Sequence, residues 1–240
     1  MKWLVARGTP LVSAVVHPDS TARYKDEITE ASGLPRDRVF LANELTNASV
    51  IEQLRKLRPE VGISAFFAYI LKPEVIDLMP MGCINVHPGY LPFNKGRYPN
   101  VWAIVDRTPA GVTLHYIDKG VDTGDIVAQQ PVPVFPTDTG EFLYRRLETA
   151  SIELVKRTWP CIEAGTAPRH PQVLGAGTFH RAVDVTGIDR IDLDRKYDAG
   201  KLIDILRARS FPPYRGAYFE VEGQRIYLRL ELFKETDAER

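Results

Sequence analysis

Short apolar runs of strand length alternate with helical segments from residue 11 to residue 165, and this alternation restricts the fold more than any other feature of the chain. Strands that alternate with helices pack most readily as a largely parallel sheet covered by its crossover helices. Leu11-Val12-Ser13-Ala14-Val15-Val16 reads as a buried strand closed by His17-Pro18-Asp19, residues 23–32 as a helix stopped by Gly33, and Val39-Phe40-Leu41 as a short strand. Asn47 is placed to cap a helix whose Val50, Ile51, Leu54 and Leu57 share one face. Strands are expected over 61–65, 83–86, 111–118 and 126–134, with a short helix over 72–79. Asp138-x-x-Glu141 has the spacing of a capping box for a long helix that ends near Gly165. The expected fold class is α/β and Rossmann-like, with a mostly parallel sheet.

The two ends of the chain depart from that pattern. Residues 2–8 read as the end of a helix stopped by Gly8. A doubly wound fold normally opens with a strand and a tight turn, so the first strand is expected to be missing; a start upstream of Met1 is the favoured reading, beside a genuine truncation or another segment filling the gap. Loss of a central strand would leave its neighbours with unpaired edges. Residues 166–197, rich in Gly, Pro and Asp, read as a crossing loop. A helix follows over 198–209 with Leu202, Ile203 and Leu206 on one face. Alternating runs over 217–221 and 225–232 flank Glu222-Gly223-Gln224 and form a hairpin outside the main sheet. The charged tail 234–240 is expected to fray. The chain thus divides into a catalytic domain over 1–165 and a C-terminal extension over 166–240.

Composition narrows the partners. Lys and Arg number 31, as do Asp and Glu, so no global charge favours nucleic acid. Cys83 and Cys161 have neither a Cys-x-x-Cys spacing nor a disulfide framework, and no signal peptide or membrane-length apolar run is visible. A soluble cytoplasmic protein without nucleic-acid or membrane partners is expected. No cluster has metal-ligand spacing and no phosphate-binding loop pattern occurs, so no metal and no covalent acyl-enzyme are expected.

Asn85 and His87 lie two residues apart at the end of a strand, where side chains project on one face and where ligands of open α/β sheets bind. Asp118-Lys119-Gly120-Val121-Asp122-Thr123-Gly124-Asp125 is a glycine-punctuated acidic loop between two strands, able to bring a carboxylate toward His87. An amide and a protonated imidazole can stabilise a developing oxyanion while a carboxylate polarises the imidazole and takes up protons, which suits acyl transfer to an amine. The same residues also read as a polar strand end bonded to backbone and a simple turn. His115 in mid-strand reads as structural, and His17 and His180 have no assignable partner.

Asn85-Val86-His87-Pro88-Gly89-Tyr90-Leu91-Pro92 followed by Val121-Asp122-Thr123-Gly124-Asp125 resembles the folate-dependent formyltransferases, and the likeness runs from about residue 4 to residue 232. The resemblance implies a formyltransferase fold with Asn85, His87 and Asp122 as the catalytic trio and N10-formyltetrahydrofolate as co-substrate. Asn94-Lys95-Gly96-Arg97-Tyr98-Pro99-Asn100-Val101-Trp102, and the segment from Ser210 through Phe211, Tyr214 and Tyr218 to Phe219, resemble the nucleotide-sugar N-formyltransferases. That implies substrate contacts from Tyr90, Asn94, Lys95, Arg97, Asn100, Trp102, Phe211, Tyr214 and Tyr218. Lys95 and Arg97 would meet a pyrophosphate, and Phe211, Tyr214 or Tyr218 would stack on a base. Phe211 reads more readily as core than as a stacker, and Lys95 or Arg97 reads also as a solvated loop charge. Phe66-Phe67-Ala68-Tyr69-Ile70-Leu71 corresponds to the loop around the pteridine, so Phe67, Ala68, Tyr69, Ile70 and Leu71, with Gly120, Val121 and Asp125, are expected on the folate.

The implied reaction is formyl transfer to the amine of a nucleoside-diphosphate amino sugar such as dTDP-4-amino-4,6-dideoxy-D-glucose, by a homodimer whose 217–232 hairpin forms the interface. Methionyl-tRNA formyltransferase shares the trio but carries a further nucleic-acid-binding domain. A formyltetrahydrofolate hydrolase and a glycinamide ribonucleotide formyltransferase share the motifs. A truncated, non-catalytic ligand-binding paralogue is the alternative from another class.

Overall fold

The computed structural model describes residues 1–20, 24–173 and 175–235. The helical reading of residue 23, the loop reading at residue 174 and the frayed tail at 236–240 lie outside the described residues. The chain forms two compact units, Met1–Ile84 and Asn85–Arg240.

In the first unit, α1 (Lys2–Ala6) ends just before Gly8, whose φ of 80° stops the helix. β1 (Ala14–Val16) runs parallel to β2 (Val39–Leu41), with Ala14 opposite Val39. Between them α2 (Lys25–Ser32) is closed by Gly33 in the left-handed region. α3 (Ala48–Lys56) buries the face read from the sequence: Val50 and Leu54 join Phe40, Leu45 and Val75 in a core that Val15, Ile51, Leu57, Phe67 and Leu71 complete. Asn47 is the N-cap residue of α3, but its side chain makes no capping bond. Its carbonyl instead accepts from Val50 and Ile51. β3 (Gly62–Ala65) and the four-residue α4 (Pro73–Ile76) complete the unit. Among the described residues β1 is hydrogen-bonded only to β2 and β3 only to β4 (Cys83–His87).

The second unit takes over within β4. It continues through β5 (Lys95–Gly96), α5 (Pro99–Val105), β6 (Gly111–Tyr116), β7 (Ile126–Pro131) and α6 (Gly140–Glu163). Then follow β8 (Phe179–His180), α7 (Thr186–Asp189), α8 (Ala199–Ala208), β9 (Tyr218–Val221) and β10 (Gln224–Tyr227). The sheet order is β3-β4-β6-β7, with β6 and β7 antiparallel. β6 is buried at every position, and α6 covers it and β7 with Leu143, Leu147 and Leu154, each at most 1% exposed. Burying one such side chain contributes about 1.5–3 kcal/mol. The closing hairpin turns at Glu222 and Gly223, both at positive φ, as a two-residue hairpin turn requires.

Four local expectations are corrected. α6 is capped by Thr139, whose hydroxyl accepts from the Phe142 amide. The carboxylate of Asp138 is instead taken by the Phe135 amide and Arg146. α8 buries Asp204, Ile205, Arg207 and Ala208, and leaves Ile203 45% exposed. Its charged pair satisfies itself and can go inward, which an apolar-face reading does not foresee. α5 was not foreseen, because Val101-Trp102-Ala103-Ile104-Val105 is apolar all round and carries no periodic signal; the whole helix is buried. Residues 166–197 are not a plain loop, since they hold β8 and α7.

No helix among the described residues is long and apolar enough to cross a membrane.

Candidate active site

β4 delivers Asn85 and His87 to one side of its end, as their spacing requires. His87 is only 4% exposed. Its Nε2–H donates to the carbonyl of Asn94 at 3.0 Å, and its Nδ1 lies 3.5 Å from Oδ2 of Asp122. Burial lowers its pKa, and the Asp122 charge and the Asn94 carbonyl offset that only in part. The resting imidazole is therefore neutral, with Nδ1 open to a proton. The cost of desolvating a cation outweighs the attraction of one carboxylate.

Asp122 sits on the loop between β6 and β7 at φ 54°, a left-handed conformation that Asp tolerates better than most residues. Oδ2 accepts the Gly96 amide at 2.8 Å, and Oδ1 accepts from Asn85 Nδ2 at 3.4 Å. Burial pushes the carboxyl upward. The contacts with His115 and His87 and the Gly96 amide outweigh that and hold it at about 2. Asp122 is thus ionised throughout the neutral range. Gly124 two residues on must be glycine, because a Cβ there would lie 1.9 Å from the Tyr116 carbonyl.

His115 belongs to this cluster, which the sequence reading missed. Its Nδ1–H donates to the Tyr116 carbonyl at 2.9 Å, while Nε2 lies 3.2 Å from Asn85 Nδ2 and 3.3 Å from Asp122 Oδ1. The available signal was Thr113 and His115, two polar residues at period two in an otherwise apolar strand. Thr113 Oγ1 donates to the Gly89 carbonyl and accepts from the Leu91 amide, which fixes the turn after His87.

The expected substrate contacts divide. Asn94 is 1% exposed, and its side chain is held by Thr108 and Thr178. Asn100 donates to the Gly140 carbonyl at 2.9 Å. Trp102, 6% exposed, lies flat on His180 with ring centroids 4.0 Å apart. These three are packed inside against the protein's own groups. Lys95 donates to the Ala176 carbonyl. Arg97 is exposed, and Tyr90 is half-buried against Gly111. Phe211 stands edge-on to Tyr144 and Tyr214, and Tyr214 is 43% exposed. Tyr218 packs on Tyr227 beneath Arg225.

Of the expected folate contacts in the first unit, Phe67 and Leu71 pack on its core, while Phe66 and Ile70 are exposed. The Ala68 amide donates to His17 Nε2 at 3.1 Å, so His17 does have a partner, and its ring stacks on Phe67. In the second unit the Gly120 amide donates to Asp118, Val121 is exposed, and the Asp125 carbonyl accepts from Tyr116. Among the described residues no group of three or more His, Cys, Asp or Glu could hold a metal ion.

A family profile described as formyl transferase matches residues 12–158, and one described as N-formyltransferase dimerization C-terminal domain matches residues 184–234. A methionyl-tRNA formyltransferase of Syntrophus aciditrophicus is 35% identical over 178 residues, covering 72% of this chain and 57% of the relative. A dTDP-4-amino-4,6-dideoxyglucose formyltransferase of Mycobacterium bovis is 33% identical over 159 residues, 65% of this chain and 67% of the relative. The chain thus spans 57–67% of the length of these two curated relatives. Among solved structures, a 4-N formyltransferase from Francisella tularensis superposes with a TM-score of 0.81 at 25% identity, covering 97% of this chain and 93% of that one. A formyltransferase from Anoxybacillus kamchatkensis, solved with UDP-4,6-dideoxy-4-formamido-L-AltNAc and tetrahydrofolate, superposes with a TM-score of 0.58 at 29% identity, covering 72% and 87%.

Proposed function

We propose, from the premise that the chain belongs to the formyl transferase family, that it moves the formyl group of N10-formyltetrahydrofolate to the amine of a nucleoside-diphosphate amino sugar in the cytoplasm. The observation that carries this reading is the joined trio: an amide, a buried neutral imidazole and a carboxylate held ionised, all within hydrogen-bond or ion-pair reach. dTDP-4-amino-4,6-dideoxy-D-glucose is the first candidate substrate, supported by the Mycobacterium bovis relative and the near-complete mutual coverage with the Francisella structure. A methionyl-tRNA substrate is the second reading, favoured by the Syntrophus relative.

In the reaction the amine nitrogen bonds to the formyl carbon and the bond from that carbon to N10 breaks. The amine gives up one proton and N10 takes one up. Asn85 supplies an amide N–H to the oxygen that becomes negative. His87 accepts the amine proton at Nδ1, the nitrogen left open by the bond to Asn94, and passes it toward N10. Asp122 stays ionised and stabilises the imidazolium that forms, which makes it a fixed charge more than a base. Exposed Phe66 and Ile70 offer apolar edges of the kind a pteridine covers. Domains over 1–165 and 166–240 are supported by the two profile matches.

The test uses purified protein, N10-formyltetrahydrofolate and a panel of thymidine- and uridine-diphosphate amino sugars beside methionyl-tRNA. Tetrahydrofolate release with a formylated sugar is expected. Formylation of the tRNA alone would replace the sugar reading, and no transfer to any acceptor would overturn both.

The hairpin is assigned to a homodimer interface. Phe219, Val221 and Ile226 share one face of it, Val221 and Ile226 are more than 40% exposed, and a lone two-stranded hairpin is marginal in water. Val221→Asp with Ile226→Asp is expected to convert a dimer to monomers in sedimentation; an unchanged dimer would place the interface elsewhere.

A further inference from the structure

Residues 170–173 and 175–180 touch both catalytic loops. His170 exchanges backbone hydrogen bonds with Ile126, at 2.8 and 3.0 Å, just past the Asp122 loop. Gln172 Nε2 donates to the carbonyls of Asp122 at 3.0 Å and Gly124 at 2.8 Å. Its Oε1 is buried with no hydrogen-bond partner. An orphaned buried oxygen costs stability, so this side chain is kept for its donor end.

Further along, Thr178 Oγ1 accepts the Asn94 amide at 2.8 Å and donates to Asn94 Oδ1 at 3.2 Å. The Thr178 carbonyl accepts the Lys95 amide, and the His180 carbonyl accepts the Arg97 amide. Backbones approach so closely here that a Cβ on Gly177 would lie 1.9 Å from the Pro92 carbonyl.

What the segment grips is what orients the trio. The Asn94 carbonyl receives His87 Nε2–H, and the Gly96 amide donates to Asp122 Oδ2. Asn94 and Asp122 stand at φ 59° and 54°, left-handed conformations that Asn and Asp adopt more readily than most residues. We propose that residues 170–173 and 175–180 act as a strap whose Thr178 and Gln172 are positioning residues, Thr178 setting the Asn94 carbonyl that holds His87 and Gln172 setting the backbone of Asp122. Neither touches the reacting atoms. The inference rests on the formyl-transfer reading for its kinetic consequence, but its structural claim stands on these contacts alone.

The test compares Thr178→Val, Thr178→Ser and Gln172→Leu with the unsubstituted protein. Thr178→Val and Gln172→Leu are expected to lower kcat about tenfold to hundredfold, with each KM and the unfolding midpoint nearly unchanged. Thr178→Ser keeps the hydroxyl and is expected to keep the rate. The ring 15N resonances of His87, recorded without substrate, are expected to move in Thr178→Val and stay in Thr178→Ser. Unmoved His87 resonances in Thr178→Val overturn the strap, as does a rate loss that tracks lost stability or is equal in Thr178→Ser. If the unsubstituted protein transfers no formyl group, the functional reading fails while the His87 resonances still decide the strap.

Discussion

Formyl transfer is expected to fall roughly a hundredfold to a thousandfold in Asn85→Ala, the usual range for losing one transition-state donor, and roughly a hundredfold to ten-thousandfold in His87→Ala, the usual range for losing a positioned acid–base group. The two losses should not add, because both residues serve one step. Asp122→Asn keeps the shape but removes the charge that stabilises protonated His87, so kcat should fall with little change in KM. The same substitution has a pH signature in stability. The folded pKa of Asp122 is depressed from an ordinary 3.8 to about 2, so its contribution is present above about pH 4 and is lost as pH falls from about 4 to about 2. A shift of that size corresponds to about 2 kcal/mol. Acid unfolding of Asp122→Asn should lack this limb. His87 works in the same direction at higher pH: its folded pKa is lowered, so below its ordinary value the unfolded chain takes a proton that the folded chain refuses. Near-normal turnover in both Asn85→Ala and His87→Ala would sink the site assignment.

The placing of Asn85 and His87 on one face was legible because it depends on local rules. Two residues apart on a strand means one face, and a strand end means access; Asn85 and His87 satisfy both. The α3 face was legible for the same reason, since Val50 and Leu54 repeat at helical spacing against a single core. What could not be read was decided by partners distant in sequence. Asn94 looks like a loop amide open to ligand until Thr178, 84 residues away, is seen to take both its amide and its side-chain oxygen. Trp102 looks like a stacking platform, and it is one, but for His180. His115 was passed over because a lone histidine in mid-strand is ordinarily structural; only the return of Asp122 from the next loop puts its Nε2 against a carboxylate. The lowered pKa of His87 was out of reach for a related cause, since burial is a property of the packed chain and no motif records it.

The face of α8 gives the largest expected stability effect. Asp204 and Arg207 are both under 10% exposed, in a helix expected to bury Leu202, Ile203 and Leu206. Arg207 Nε donates to Asp204 Oδ1 at 2.8 Å, and its Nη1 donates to the carbonyls of Phe135 and Asp138, both at 3.1 Å. The guanidinium therefore pins the chain just ahead of α6 to α8. The other Asp204 oxygen accepts from Arg107, whose side chain is 69% exposed. Asp204→Ala leaves a buried cation with two carbonyls and no counter-charge, and is expected to cost about 3–5 kcal/mol in urea unfolding at neutral pH. Arg107→Ala removes only a solvated partner and should change stability little. Replacing both inner groups, Asp204→Leu with Arg207→Met, removes the stranded charge and should recover much of the loss, since an apolar pair of similar volume often matches a buried ion pair. A cost below about 1 kcal/mol for Asp204→Ala would mean that water reaches Arg207 and that the pair is not buried in solution. A double variant as unstable as Asp204→Ala alone would instead show that the carbonyl contacts of Arg207, and not the neutralised charge, hold α6 against α8.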